Sequence, residues 1–90
     1  MLHLISITKH SMVLKSRYSE VWTLTEKDGG YLFNLPPCSR VGFNDDGSLA
    51  SVDPPGGPFL GIGDYLGEKT KITSFKDLGE EGVIIYVEEV

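Results

Sequence analysis

Apolar and polar residues alternate along most of this chain, and where they do the repeat is two residues rather than 3.6. Glu20–Glu26 sets Val21, Thr23 and Thr25 against Trp22, Leu24 and Glu26, the pattern of a half-buried strand. Ser11–Arg17 places Met12 and Leu14 on one face and Val13 and Lys15 on the other. In Lys69–Phe75, Ile72 and Ser74 oppose Thr73 and Phe75. In Val83–Val90, Ile84, Tyr86 and Glu88 oppose Val83, Ile85 and Val87. Residues 2–8 are open to two readings. Leu2, Leu4 and Ile7 would line one face of a short N-terminal helix, whereas Ile5, Ile7 and Thr8 favour a strand, because branched side chains suit a pleated backbone. The strand is preferred.

Turn signals separate these segments. Lys27-Asp28-Gly29-Gly30 supplies the Asp-Gly pair of a tight hairpin, so Val21–Leu35 reads as two paired strands. Pro36-Pro37 stops the second strand, since proline has no amide to give a ladder. Arg40–Phe43 and Ser48–Val52 flank a second turn, Asn44-Asp45-Asp46-Gly47. Phe59–Ile62 reads as a further short strand, and Asp77–Gly82 as a polar turn. Short strands at this spacing predict an all-β sandwich or small barrel, and barrel closure removes exposed edges. A single domain over residues 1–90 follows, because neither half could bury a core alone.

A chain of 90 residues has a thin stability margin, and chains of this size often gain from a disulfide, a metal or self-association. Cys38 is the only cysteine, which removes the first within one chain and suits a reducing compartment. Self-association into a homo-oligomer is the expected route. The formal net charge of -5 opposes sequence-independent binding to nucleic acid. Lys69, Lys71 and Lys76 are interleaved with Glu68 and Asp77 and read as a solvated face. No apolar run approaches the ~20 residues that span a bilayer, and the start lacks the features of a signal peptide. A soluble, cytoplasmic protein without membrane partner is expected.

The stretch Ser51–Asp64, SVDPPGGPFLGIGD, concentrates the candidate chemistry. Gly61, Gly63 and Gly67 do not make a dinucleotide fingerprint, because a strand-like sequence follows where a helix is needed. The stretch reads instead as a preordered elbow. Pro54 and Pro55 fix φ, Gly56 and Gly57 open conformations closed to other residues, and Asp53 is placed to bond downstream amides. Gly61 and Gly63 would mark a bulge, a bend or a close backbone approach. Asn44-Asp45-Asp46 lacks the spacing of a calcium loop, and His3 and His10 lack zinc spacing. Cys38 has no histidine nearby, and adjacent carboxylates such as Glu80/Glu81 point to opposite faces of an extended chain. No catalytic, cofactor or metal residue is therefore assigned, no small-molecule substrate is identified, and the chain is expected not to be an enzyme. Asp53 and Asp64 with the glycines are the only candidates for a ligand pocket. The aromatics are expected mostly in the core; Tyr31 or Tyr65 beside Lys69 or Lys71 would offer a base-stacking surface. Interface strands for self-association are expected around Phe59, Leu60 and Ile62, and around Ile84, Tyr86 and Val87.

Residues 51–66, SVDPPGGPFLGIGDYL, resemble a segment of small proteins from tailed phages, including cyanophages. Some of those proteins resemble the Sm-like fold, a strongly bent small β-barrel related to SH3-like barrels, whose subunits join edge to edge in rings. The resemblance implies a ring-like homo-oligomer in the host cytoplasm. Its alternative implication is single-stranded RNA binding. Sm proteins that bind RNA carry an aromatic or His beside an Asn and an Arg-Gly or Lys-Gly pair; this chain has Asn34 and Asn44 but neither dipeptide. No RNA-binding residue is carried over.

Overall fold

Ten short strands form in the computed structural model, which describes residues 4–57 and 59–90. They are β1 (Leu4–Ile7), β2 (Ser11–Lys15), β3 (Val21–Lys27), β4 (Gly30–Phe33), β5 (Arg40–Phe43), β6 (Leu49–Asp53), β7 (Leu60–Gly61), β8 (Tyr65–Leu66), β9 (Thr70–Asp77) and β10 (Val83–Glu89). The first sheet has the order β1-β2-β3-β4-β10-β9-β8 and curls into a nearly closed barrel. The second, β5-β6-β7, packs through β6 against β9. The all-β small-barrel expectation is thus the fold observed. Of the two readings of residues 2–8, the preferred strand forms over Leu4–Ile7 and the helix does not; residues 1–3, with Leu2 and His3, and Pro58 lie outside the described residues.

Turn chemistry explains the hairpins. Asp28 (φ 52°) and Gly29 (φ 86°) link Lys27 to its partner Gly30, both in the left-handed region that a two-residue type I′ loop demands. Asn44–Gly47 closes through Gly47 N–H to the Asn44 carbonyl (3.0 Å), and Ser48 N–H adds a bond to Asp46 Oδ1 (2.9 Å). The Ser48 hydroxyl, and then its amide, hold the exposed Asp46 carboxyl below its ordinary pKa by bonding the charged form. Between β9 and β10 the polar turn contains a short 3-10 turn, Gly79–Glu81.

Three β-bulges determine which residues reach the core. In β9, Ser74 and Ile72 oppose the consecutive residues Tyr86 and Val87, so Thr73 has no partner. That extra residue inverts the pleat, and Ile72 and Phe75, expected on opposite faces, are both buried. In β6 the unpaired Ala50 likewise buries both Leu49 and Val52. In β1 the unpaired Ile5 turns outward while Leu4 and Ile7 both pack on the core. Each bulge gives two inward residues three apart, and Leu4 and Ile7 at that spacing imitate a helical face. In β2 and β3 strict alternation holds: Met12, Leu14 and Leu24 are buried, and Trp22 tilts against Phe33 with ring centroids 5.4 Å apart; in β10, Ile84 is buried along with Val83 and Ile85 on the other face.

Other expectations shift at the edges of elements. The third of the short strands is Leu60–Gly61 rather than Phe59–Ile62, the strand expected over Ser48–Val52 is Leu49–Asp53, and β8 is an additional strand.

Candidate functional site

The proline-glycine elbow links β6 to β7 within the second sheet and is tied by hydrogen bonds to the β2–β3 loop of the first. Gly57 N–H donates to the Pro54 carbonyl (2.9 Å), with Pro55 and Gly56 (φ 81°) as the central residues, the arrangement of a type II turn. The turn closes through its backbone. The Asp53 side chain, expected to bond downstream amides, instead ends β6 opposite Arg40. Pro54 is buried. The Gly56 carbonyl accepts two bonds from Arg17, from its backbone N–H (3.2 Å) and from Nε (3.3 Å), and Tyr18 lies over Gly56. Buried Ser16 holds that loop in shape, its Oγ accepting from Tyr18 N–H and Glu20 N–H (both 3.1 Å). Gly61 is buried and gives its N–H to Asp64 Oδ2 (2.8 Å); Gly63 (φ 92°) gives its N–H to the Ile72 carbonyl (2.8 Å). Asp64 is therefore committed to a local turn. Asp53, together with Arg17, Cys38, Arg40 and Phe59, borders a shallow open recess of about 250 Å³ at the elbow. Both of the chain's arginines sit there. Among the described residues no three His, Cys, Asp or Glu side chains group to hold a metal ion.

A larger concavity, about 730 Å³, lies at the seam where the barrel fails to close. Leu4, Ile7, Leu66 and Val87 are the apolar part of its lining; Lys9, Glu68, Lys69, Glu88 and Glu89 are the charged part. Tyr31 ties one end, its hydroxyl donating to the Thr8 carbonyl at 2.6 Å. Burial, and then the nearby Glu26 carboxylate, raise the Tyr31 pKa above its ordinary value. At the other end Leu4 packs over Gly67.

One wall of the seam carries backbone groups that no strand among the described residues pairs. Val90 N–H donates to the Lys69 carbonyl (2.7 Å), which makes that a hydrogen-bonded pair of the β10–β9 ladder. Antiparallel ladders alternate, so Glu88↔Lys71 is bonded whereas Glu89↔Thr70 and Val87↔Ile72 are not. The Val87 and Glu89 amides and carbonyls therefore point away from β9. On that side β4 pairs β10 only over Val83–Ile85, so among the described residues no strand covers Val87 or Glu89 there.

A second edge, unpaired among the described residues, belongs to β5. Ile62 N–H bonds the Ala50 carbonyl (3.3 Å), which by the same alternation turns the Val52 backbone toward β7 and the Val41 backbone outward. Asn44 N–H bonds the Ser48 carbonyl (2.7 Å), which turns Phe43 outward too. The Val41 and Phe43 side chains sit across from buried Val52 and Leu49, yet they are 41% and 57% exposed because β5 overhangs the core.

The interface residues expected from the sequence divide accordingly. Leu60 and Ile84 are buried in the single chain, and Tyr86 is half-buried. Phe59 and Ile62 are exposed at 56% and 47%. Val87 lies in the seam. The strand expected over Arg40–Phe43 forms as β5 but is not among the expected interface strands, although the pair Val41 and Phe43 at i, i+2 between Pro-Pro and a turn is the signal of a short apolar edge. No helix among the described residues is long and apolar enough to cross a membrane. No family model, curated protein or solved structure matches this chain.

Proposed function

We propose that this chain is a non-enzymatic structural module that works by self-association, forming a ring-like homo-oligomer of the kind its phage-protein resemblance implies. The observation that carries the reading is β5, an edge strand whose outward backbone and exposed side chains Val41 and Phe43 have no partner among the described residues. Solitary proteins blunt such edges with lysines, prolines or bulges, because an open apolar edge recruits another strand. Arg40 is the only charge on β5. A thin core gives the association a thermodynamic purpose, since binding between native subunits stabilises the fold by mass action. Sedimentation velocity from low to high micromolar concentration tests it: the expected result is a concentration-dependent oligomer that Val41→Glu with Phe43→Glu returns to monomer. A wild-type chain that sediments as a monomer throughout would remove the reading.

A second reading, single-stranded nucleic-acid binding, is favoured by the elbow recess, where Arg17 and Arg40 flank exposed Phe59. Arginine forks fit phosphate and an aromatic ring stacks on bases. Its expected signature is oligo-U binding that falls steeply with salt and is lost in Arg17→Ala/Arg40→Ala. No binding at low salt would dispose of it.

A further inference from the structure

Building on the self-association reading, we infer that the seam groove is the acceptor for β5 of a second copy, which pairs antiparallel with the open wall of β10. The two edges match in register. The outward backbone groups of β5 are those of Val41 and Phe43, two residues apart; those of β10 are Val87 and Glu89, also two apart. Laid antiparallel, Val41 meets Glu89 and Phe43 meets Val87, and each pair exchanges both N–H···O=C bonds of a hydrogen-bonded ladder position.

The side chains follow the same geometry. Residues two apart share a face. Val87 packs on the core, so Phe43 opposite it turns toward the same apolar lining, with Leu66 and Ile7 nearby. On the other face Gly42 lies opposite Glu88, leaving room above it. Arg40, two positions along, reaches Glu88 as a diagonal cross-strand pair. The seam charges agree with this direction. Glu68 and Glu89 belong to the Leu4–Gly67 end, where Arg40 arrives, although Lys69 is there also; Lys9 belongs to the Tyr31–Thr8 end, where the acidic turn Asp45-Asp46 arrives. Donor and acceptor are different surfaces of one chain, so the contact is head-to-tail and generates a ring or an open filament.

Disulfide trapping tests the register. In a Cys38→Ser background, one protein carries Val41→Cys and a second carries Glu89→Cys; a hydrogen-bonded antiparallel pair holds Cα atoms about 5.5 Å apart, within disulfide reach. Equimolar oxidation is expected to give the mixed dimer at least about tenfold faster than a control pairing Val41→Cys with Glu80→Cys on the 3-10 turn, a factor equal to about 1.4 kcal/mol. A charge exchange is the second arm: Arg40→Glu weakens association and adding Glu88→Arg restores it. If the wild-type chain associates but the mixed dimer forms no faster than the control, this docking is wrong and self-association by another surface stands. If the chain is monomeric yet binds an apolar dye such as ANS, a loss sensitive to Val87→Glu, the groove belongs to a small ligand and both readings fall.

Discussion

Gly82, the residue before β10, is where this fold tolerates a side chain least. Its backbone sits at φ 115°, ψ -144°, a region essentially restricted to glycine. An added Cβ would fall inside the van der Waals shell of the Phe33 carbonyl oxygen, 3.0 Å from its carbonyl carbon and 3.1 Å from Asn34 Cα. All three are backbone atoms, so relief requires the end of β4 to move away from β10. That movement breaks the Val83↔Phe33 register and disturbs Phe33, one of the largest core side chains. Backbone strain of about 1–3 kcal/mol, together with about 1 kcal/mol for each ladder bond lost, places Gly82→Ala at roughly 3–5 kcal/mol. Gly79→Ala is the matched control: its φ is also positive, at 67°, but nothing lies within 4 Å of the added carbon. It should cost only about 1–2 kcal/mol for the left-handed conformation. Urea denaturation at a concentration where both variants share one oligomeric state reads the difference. A Gly82→Ala variant within about 1 kcal/mol of Gly79→Ala would refute the close approach of β4 and β10.

Other substitutions test the elbow and the seam. Ser16→Ala strips two amides of their buried acceptor and should destabilise the chain by about 1–3 kcal/mol, measured by thermal or urea melting. Tyr31→Phe removes the bond to the Thr8 carbonyl, costing about 0.5–1.5 kcal/mol, and should speed amide exchange in β1 more than in β9. The Tyr31 phenol has a raised pKa in the fold. The stability linked to it is therefore complete below the unfolded tyrosine pKa and lost as pH rises through the higher folded value. Wild-type β1 exchange, corrected for the intrinsic pH dependence, should show that alkaline loss, and Tyr31→Phe should not.

Much of the architecture was legible because local chemistry leaves few choices. Asp28-Gly29 adopts the two positive φ angles its sequence implies, Pro55-Gly56 occupies the centre of a type II turn, and Val83, Ile85 and Val87 face the core as their alternation requires. The bulges were hidden, because a single unpaired residue such as Thr73 carries no distinctive side chain; its position is set by how β9 wraps onto both β10 and β8. Leu60 and Ile84 read as interface candidates because β-propensity cannot separate a strand that pairs with another chain from one enclosed by its own. The seam depends on the length of β4, which ends its pairing at Ile85 and leaves Val87 and Glu89 uncovered. That is a property of closure, and it combines residues from β1, β4, β8, β9 and β10 that no spacing rule relates.

Amide hydrogen exchange at Val87 and Glu89, followed as protein concentration is raised through the range in which sedimentation detects association, reads the β5–β10 contact at its own hydrogen bonds. Both amides should exchange freely in the dilute chain and become protected in step with assembly, together with those of Val41 and Phe43. Exchange at these four positions that stays unchanged while the chain assembles would contradict that contact.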